Sequence, residues 1–116
     1  MSEPTIRERV NLIQNEILKG DLSPARASDM LVELSAIFGN VNEEIRQRSM
    51  EYNKVLLDFY ESETKANRAK IRAEISPEYE AKMIAINTKE LLVEMVRSLK
   101  YFLKSSAQEY SIGNNF

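Results

Sequence analysis

The sequence predicts an all-α protein, and three observations carry that expectation. Helix formers dominate: Glu, Lys, Arg, Ala and aliphatic residues fill the chain, while Gly and Pro number three each among 116 residues. Apolar residues recur three and four positions apart almost throughout, and no alternating strand pattern of useful length occurs. Two stretches of nearly matched length, Asn42–Ile75 and Pro77–Tyr110, have no internal Gly or Pro and meet at Ser76-Pro77. The expected architecture is a long antiparallel helical hairpin (residues 41–116) preceded by a small head of two short helices (residues 1–40), a single domain overall and oligomeric.

The first helix starts at Thr5, whose spacing to Glu8 is that of a capping box. Ile6, Val10, Ile13 and Ile17 then share one face, and Gly20 is placed to end the helix in a left-handed conformation. Ser23-Pro24 is the next start: Ser23 caps, and Pro24 occupies the first helical position, where a missing N–H costs nothing. Ala27, Met30, Leu31, Leu34, Ile37 and Phe38 form the stripe of this second helix, and Gly39-Asn40 is read as its end. Asn42 is read as the cap of the first long arm, with Glu43 and Glu44 complementing the positive end of the helix dipole. Its seam is Ile45, Tyr52, Val55, Phe59 and Ala66, close to a heptad period. Beyond Tyr60 the seam shrinks to Ser62, Ala66, Ala69 and Ala73, residues that suit close helix approach and equally well a weakly packed, fraying tip. Ser76-Pro77 repeats the Ser-Pro start, and the proline disfavours helical backbone at Ser76, so a reversal is expected there, a mere kink being the alternative reading. The returning arm carries Ala81, Ala85, Thr88, Leu92, Met95, Leu99, Phe102 and Ser106, widened by Leu91, Val96, Leu103 and Tyr110. Ile112 to Phe116 reads as a short tail. Each arm would reach roughly 50 Å.

Composition bounds what such a chain does. A net charge of −2 and a pI of 5.3 give no global positive field toward nucleic acid, though local basic patches exist. There is no Cys, so no disulfide framework, and no apolar run long enough to span a membrane. Met1-Ser2-Glu3-Pro4 lacks the basic and apolar regions of a signal peptide, so the expected location is the cytoplasm. His is absent along with Cys, which removes the commonest general base, thiol nucleophile and zinc ligands. Paired carboxylates occur at Glu61/Glu63, Glu78/Glu80 and Glu90/Glu94, but acidic helix surface explains them. No enzyme, no cofactor and no metal site is expected.

The basic residues point elsewhere. Lys65, Arg68, Lys70 and Arg72 cluster before Ser76-Pro77, and Arg97, Lys100 and Lys104 share a face beside Tyr101. Basic side chains next to an aromatic ring suit single-stranded nucleic acid, which offers phosphates to charge and bases to stack. Ordinary ion pairing on a helix surface is the competing explanation, with Glu61, Glu74, Glu78 and Glu80 nearby. Among the aromatics, Phe59 and Phe102 are expected inward, and Tyr60 and Tyr101 outward.

The run Arg97-Ser98-Leu99-Lys100-Tyr101-Phe102-Leu103-Lys104, with upstream Glu78-Tyr79-Glu80 and Leu56-Leu57-Asp58-Phe59-Tyr60, resembles small all-helical proteins of tailed-bacteriophage recombination and replication cassettes. The layout is distantly similar to the UvsY-type recombination mediators. The resemblance spans about residues 42–110 and leaves Met1–Gly39 outside. It implies a non-enzymatic oligomer that binds single-stranded DNA or a single-strand-binding protein in the host cytoplasm. It also implies phosphate contacts by Lys65, Arg68, Lys70, Arg72, Arg97, Lys100 and Lys104. The acidic pI departs from that pattern, although assembly into a ring would multiply a modest patch. The alternative is a helical protein–protein interaction module without nucleic-acid contact: an adaptor, an assembly chaperone or an inhibitor of a host protein. In either case Ile45, Tyr52, Val55, Phe59, Leu92, Met95, Leu99 and Phe102 are expected to form the seam.

Overall fold

A computed structural model describes residues 3–63 and 65–114. All regular structure among them is helical: α1 (Ile6–Leu18), α2 (Pro24–Ser62), α3 (Ala66–Glu74) and α4 (Pro77–Asn114). The start signals act through the expected atoms. The backbone N–H of Glu8 donates to Thr5 Oγ1 at 3.1 Å, that of Arg26 to Ser23 Oγ at 3.1 Å, and that of Tyr79 to Ser76 Oγ at 3.2 Å. Each satisfies one N–H that the first helical turn leaves without a partner. Gly20 takes φ +80°, the left-handed turn that lets α1 reverse into α2.

Two boundaries differ from the sequence expectation. The second short helix and the first long arm are one helix, α2, which runs through Gly39-Asn40 without interruption. Gly39 keeps a helical backbone, and Asn42 lies mid-helix and caps nothing. The reason is packing: Met30, Leu34, Ile37 and Val41 are one continuous buried stripe across the glycine. Their burial outweighs the roughly 1 kcal/mol that Gly costs inside a helix. Val10, Ile13, Ala27 and Met30, from the segment before Val41, share one core with Leu92, Met95 and Leu99.

The second difference is the place of reversal. The arm expected to reach Ile75 stops at Ser62, and Glu63 and Lys65 take extended backbone (φ −105°, ψ 145°; φ −121°, ψ 128°). From there α3 returns along α2, with Arg72 Nε 3.0 Å from Glu63 Oε1 and Ala69 and Ala73 fully buried. Ser76-Pro77 interrupts the returning arm without reversing it. Ser76 Oγ donates to the Ala73 carbonyl at 2.5 Å and caps α4, so the break is locally satisfied. Beyond it α4 continues antiparallel to α2. Tyr79 meets Tyr52 with ring centroids 5.2 Å apart, and Leu103 and Ala107 reach the level of Pro24. A proline removes one N–H and bends a chain; it does not by itself send it back.

Helix α1 lies in the groove between α2 and α4. It is antiparallel to α2, with Glu16 bound to Arg26 at one end and Thr5 to Arg7 near Val41 and Glu44 at the other. Arg26 is bidentate on Glu16 (2.6 and 2.9 Å) and reaches Glu33 at 3.0 Å. Its guanidinium holds the Glu16 carboxyl below the usual carboxylate range. The buried Thr88 hydroxyl donates to the Ile84 carbonyl (2.7 Å) and accepts from Arg7 (3.4 Å). The molecule is a three-helix bundle at one end and a two-helix arm at the other, 75 × 34 × 21 Å overall. The helix expected to end near Tyr110 continues to Asn114; the Tyr110 side chain, Asn115 and Phe116 lie outside the described residues.

Gly39 offers a direct check on the continuity of α2. It is exposed, and a Cβ placed there meets nothing within 4 Å. Gly39→Ala is expected to raise the unfolding free energy by about 1 kcal/mol in urea denaturation. A loss of stability would mean that the helix breaks there.

Candidate functional site

The seven basic candidates are all exposed, but they do not form one surface. On α3, Ala69 and Ala73 face α2. Steps of about 100° per residue then put Arg68 and Arg72 on one flank and Lys70 on the other. Lys65 precedes the helix at its cap position and makes no side-chain capping bond. Arg72 is engaged by Glu63 at 3.0 Å, which leaves Arg68 and Lys65 as the charges on that flank without a carboxylate within 4.0 Å among the described residues.

The second group lies on α4, about 37–48 Å along the arm from Arg72. That is several Debye lengths at physiological salt, so the two groups act as independent charges. Arg97 is held by Glu94 at 2.8 Å. Lys100 and Lys104 are exposed on the outer face of α4, and Tyr101 between them is 74% exposed. Tyr60 is also exposed, whereas Phe59 and Phe102 are half-buried.

The seam residues divide by depth. Tyr52, Leu92, Met95 and Leu99 are buried, while Ile45, Val55, Phe59 and Phe102 are half-buried. Tyr52 does more than pack. Its ring carries Lys82 Nζ at 4.7 Å and tilts against Tyr79, so one residue ties α2 to the first turns of α4. Burial pushes its phenol upward from the ordinary tyrosine value.

Of the paired carboxylates, Glu94 is taken by Arg97 and Glu63 by Arg72. Among the described residues no group of three or more Asp or Glu side chains is arranged to hold a metal ion. No helix among them is long and apolar enough to cross a membrane.

What the sequence reading missed is a groove. Where α1 stops at Thr5, the channel between α2 and α4 that α1 fills stays open as a cavity of ≈ 350 Å³. Ile6, Val41, Ala81, Ile84 and Ala85 line it, with Arg7, Glu44 and Arg48 around them. Ile84 is 47% exposed there. The signal was present in the sequence as the breadth of the α4 stripe, but only the length of α1 says which part of that stripe is left uncovered. Comparison with protein families, with curated proteins and with solved structures finds no match to this chain.

Proposed function

We propose that the protein is a non-enzymatic helical interaction module that works as an oligomer, docking on other proteins through the faces of its rod. The supporting observation is exposed area. The chain presents 8350 Å², whereas a compact monomer of its mass presents about 6,500 Å². Its radius of gyration, 20.1 Å, compares with about 13 Å for a compact chain of this length. The excess, about 1,900 Å², is of the size that specific protein contacts cover. Leu57, Ile71 and Ile75 are largely exposed on this surface. An adaptor, an assembly chaperone or an inhibitor of a host protein each has use for such a surface, and none needs a catalytic group.

A second reading is favoured by one specific cluster, Lys100-Tyr101-Lys104. It makes the protein an accessory factor of DNA recombination or replication, of the tailed-phage kind that the sequence resembles. It would bind single-stranded DNA or a single-strand-binding protein.

Titration of labelled single-stranded DNA across salt concentrations separates the two. The interaction-module reading expects no binding even at low salt. The second expects affinity that falls steeply as salt rises, because phosphate contacts release counterions. It also expects Tyr101→Ala to cost about 1–3 kcal/mol through lost base stacking. Steep salt dependence with that loss would replace the first reading by the second.

A further inference from the structure

We propose that the open end of the α2/α4 channel binds a small amphipathic carboxylate, a medium-chain fatty acid being the simplest form, with its acyl body on the channel floor and its carboxylate on Arg7. This goes beyond the interaction-module reading and does not depend on it. Helix α1 roofs the channel as far as Thr5, and the floor continues past it as the cavity of ≈ 350 Å³. That volume falls in the range of about 300–1,000 Å³ that small-molecule sites occupy. The space has a local cause. Helix α4 offers only methyl groups at Ala81 and Ala85, one turn apart on one face, and among the described residues nothing fills the space above them. Val41 and Ile84 complete an apolar wall.

The charges on the wall select the headgroup. Arg7 is half-buried there and donates to Thr88 Oγ1 at 3.4 Å, a long bond. No carboxylate lies within 4.0 Å of its guanidinium among the described residues. The other two charges on the wall answer each other: Arg48 Nε stands 3.7 Å from Glu44 Oε1, and Arg48 also holds Glu51 at 3.0 Å. Arg7 is therefore the wall's one charge without a counter-ion. A planar guanidinium is best matched by two oxygens of a carboxylate. A neutral apolar guest would strip water from Arg7 and pair it with nothing. A dianion would bring a second negative charge toward Glu44 with no cation to meet it.

The dimensions fix the length of the body. Ala81 and Thr88 stand two helical turns apart on α4, about 10 Å. An acyl chain laid along that floor, with its carboxylate at the Thr88 end where Arg7 reaches, is of medium length, and octanoate matches it.

The test is calorimetric titration of the full chain with sodium octanoate and, separately, with octanol, which has the same body and no charge. Octanoate is expected to bind saturably at one site per chain and to raise the thermal midpoint. Octanol is expected to bind at least about tenfold more weakly, through the loss of one charged contact. Arg7→Gln should bring octanoate down to the octanol level and leave octanol unchanged. Ala81→Leu, at a half-buried position on the cavity wall, should remove both. The wild-type comparison of octanoate with octanol decides the matter even where a variant fails to fold. Heats that do not saturate, octanol binding as tightly as octanoate, or full octanoate affinity in either variant overturns the proposal. Self-association that Ala81→Leu weakens, in a wild-type chain that ignores octanoate, gives the cavity to a second copy and overturns it as well.

Discussion

Replacing Leu92 by Ala is expected to lower the unfolding free energy by about 3 kcal/mol, measured as a fall in the urea midpoint at unchanged slope. Leu92 is fully buried and belongs to the one core that Val10 and Ile13 of α1, the stripe of α2 and the stripe of α4 build together. Deleting its branched end removes apolar area from that core and leaves a void that rigid helices close only in part. A domain of this size has about 5–15 kcal/mol to lose, so the effect is a large share. Leu57 supplies the control. It is 57% exposed on α2, and Leu57→Ala is expected to change stability by less than about 0.5 kcal/mol. Equal effects at the two positions would refute the assignment of which stripe faces inward.

Ala69→Leu is expected to destabilise by about 1–3 kcal/mol, and the loss should be concentrated in α3. Ala69 and Ala73 are both completely buried although each offers only a methyl group, so α3 lies close against α2. A leucine at either place must push the helices apart. Hydrogen exchange would then show the amides of residues 66–74 losing protection while those around Leu92 and Leu99 keep theirs, because the arm is distant from the bundle core. An unchanged exchange pattern would mean that α3 does not return along α2 and that the chain reverses elsewhere.

These two substitutions probe different parts of the structure, and the parts were unequally legible. The stripe containing Leu92, Met95 and Leu99 reads directly from spacing, because a helix places residues three and four apart on one side whatever it packs against. The reversal before Ala66 does not. Ser62-Glu63-Thr64-Lys65 contains neither Gly nor Pro, and its helix propensity is only slightly poorer than that of its surroundings. Ser76-Pro77 carries the louder local signal but the smaller change of direction. The basic candidates were legible as exposed residues, since Arg68, Lys100 and Tyr101 all fall between core positions. Their division into two groups was legible too; how far apart the groups stand was not, because that distance depends on the returning arm being straight through Ser76.

By itself, then, the chain settled its helical class, the starts at Thr5, Ser23 and Ser76, the turn at Gly20 and most of the inward positions, although Ser62 and Ala66, expected on the seam, are exposed. These follow from hydrogen bonds and periodicities that span a few neighbouring residues. Packing decided the rest: Gly39 stays helical because Ile37 and Val41 are buried on either side of it, the chain turns back after Ser62, and α1 covers half of a groove and leaves half open. Each of those is a choice between local conformations of nearly equal energy, and burial of residues far apart in the sequence tips the balance.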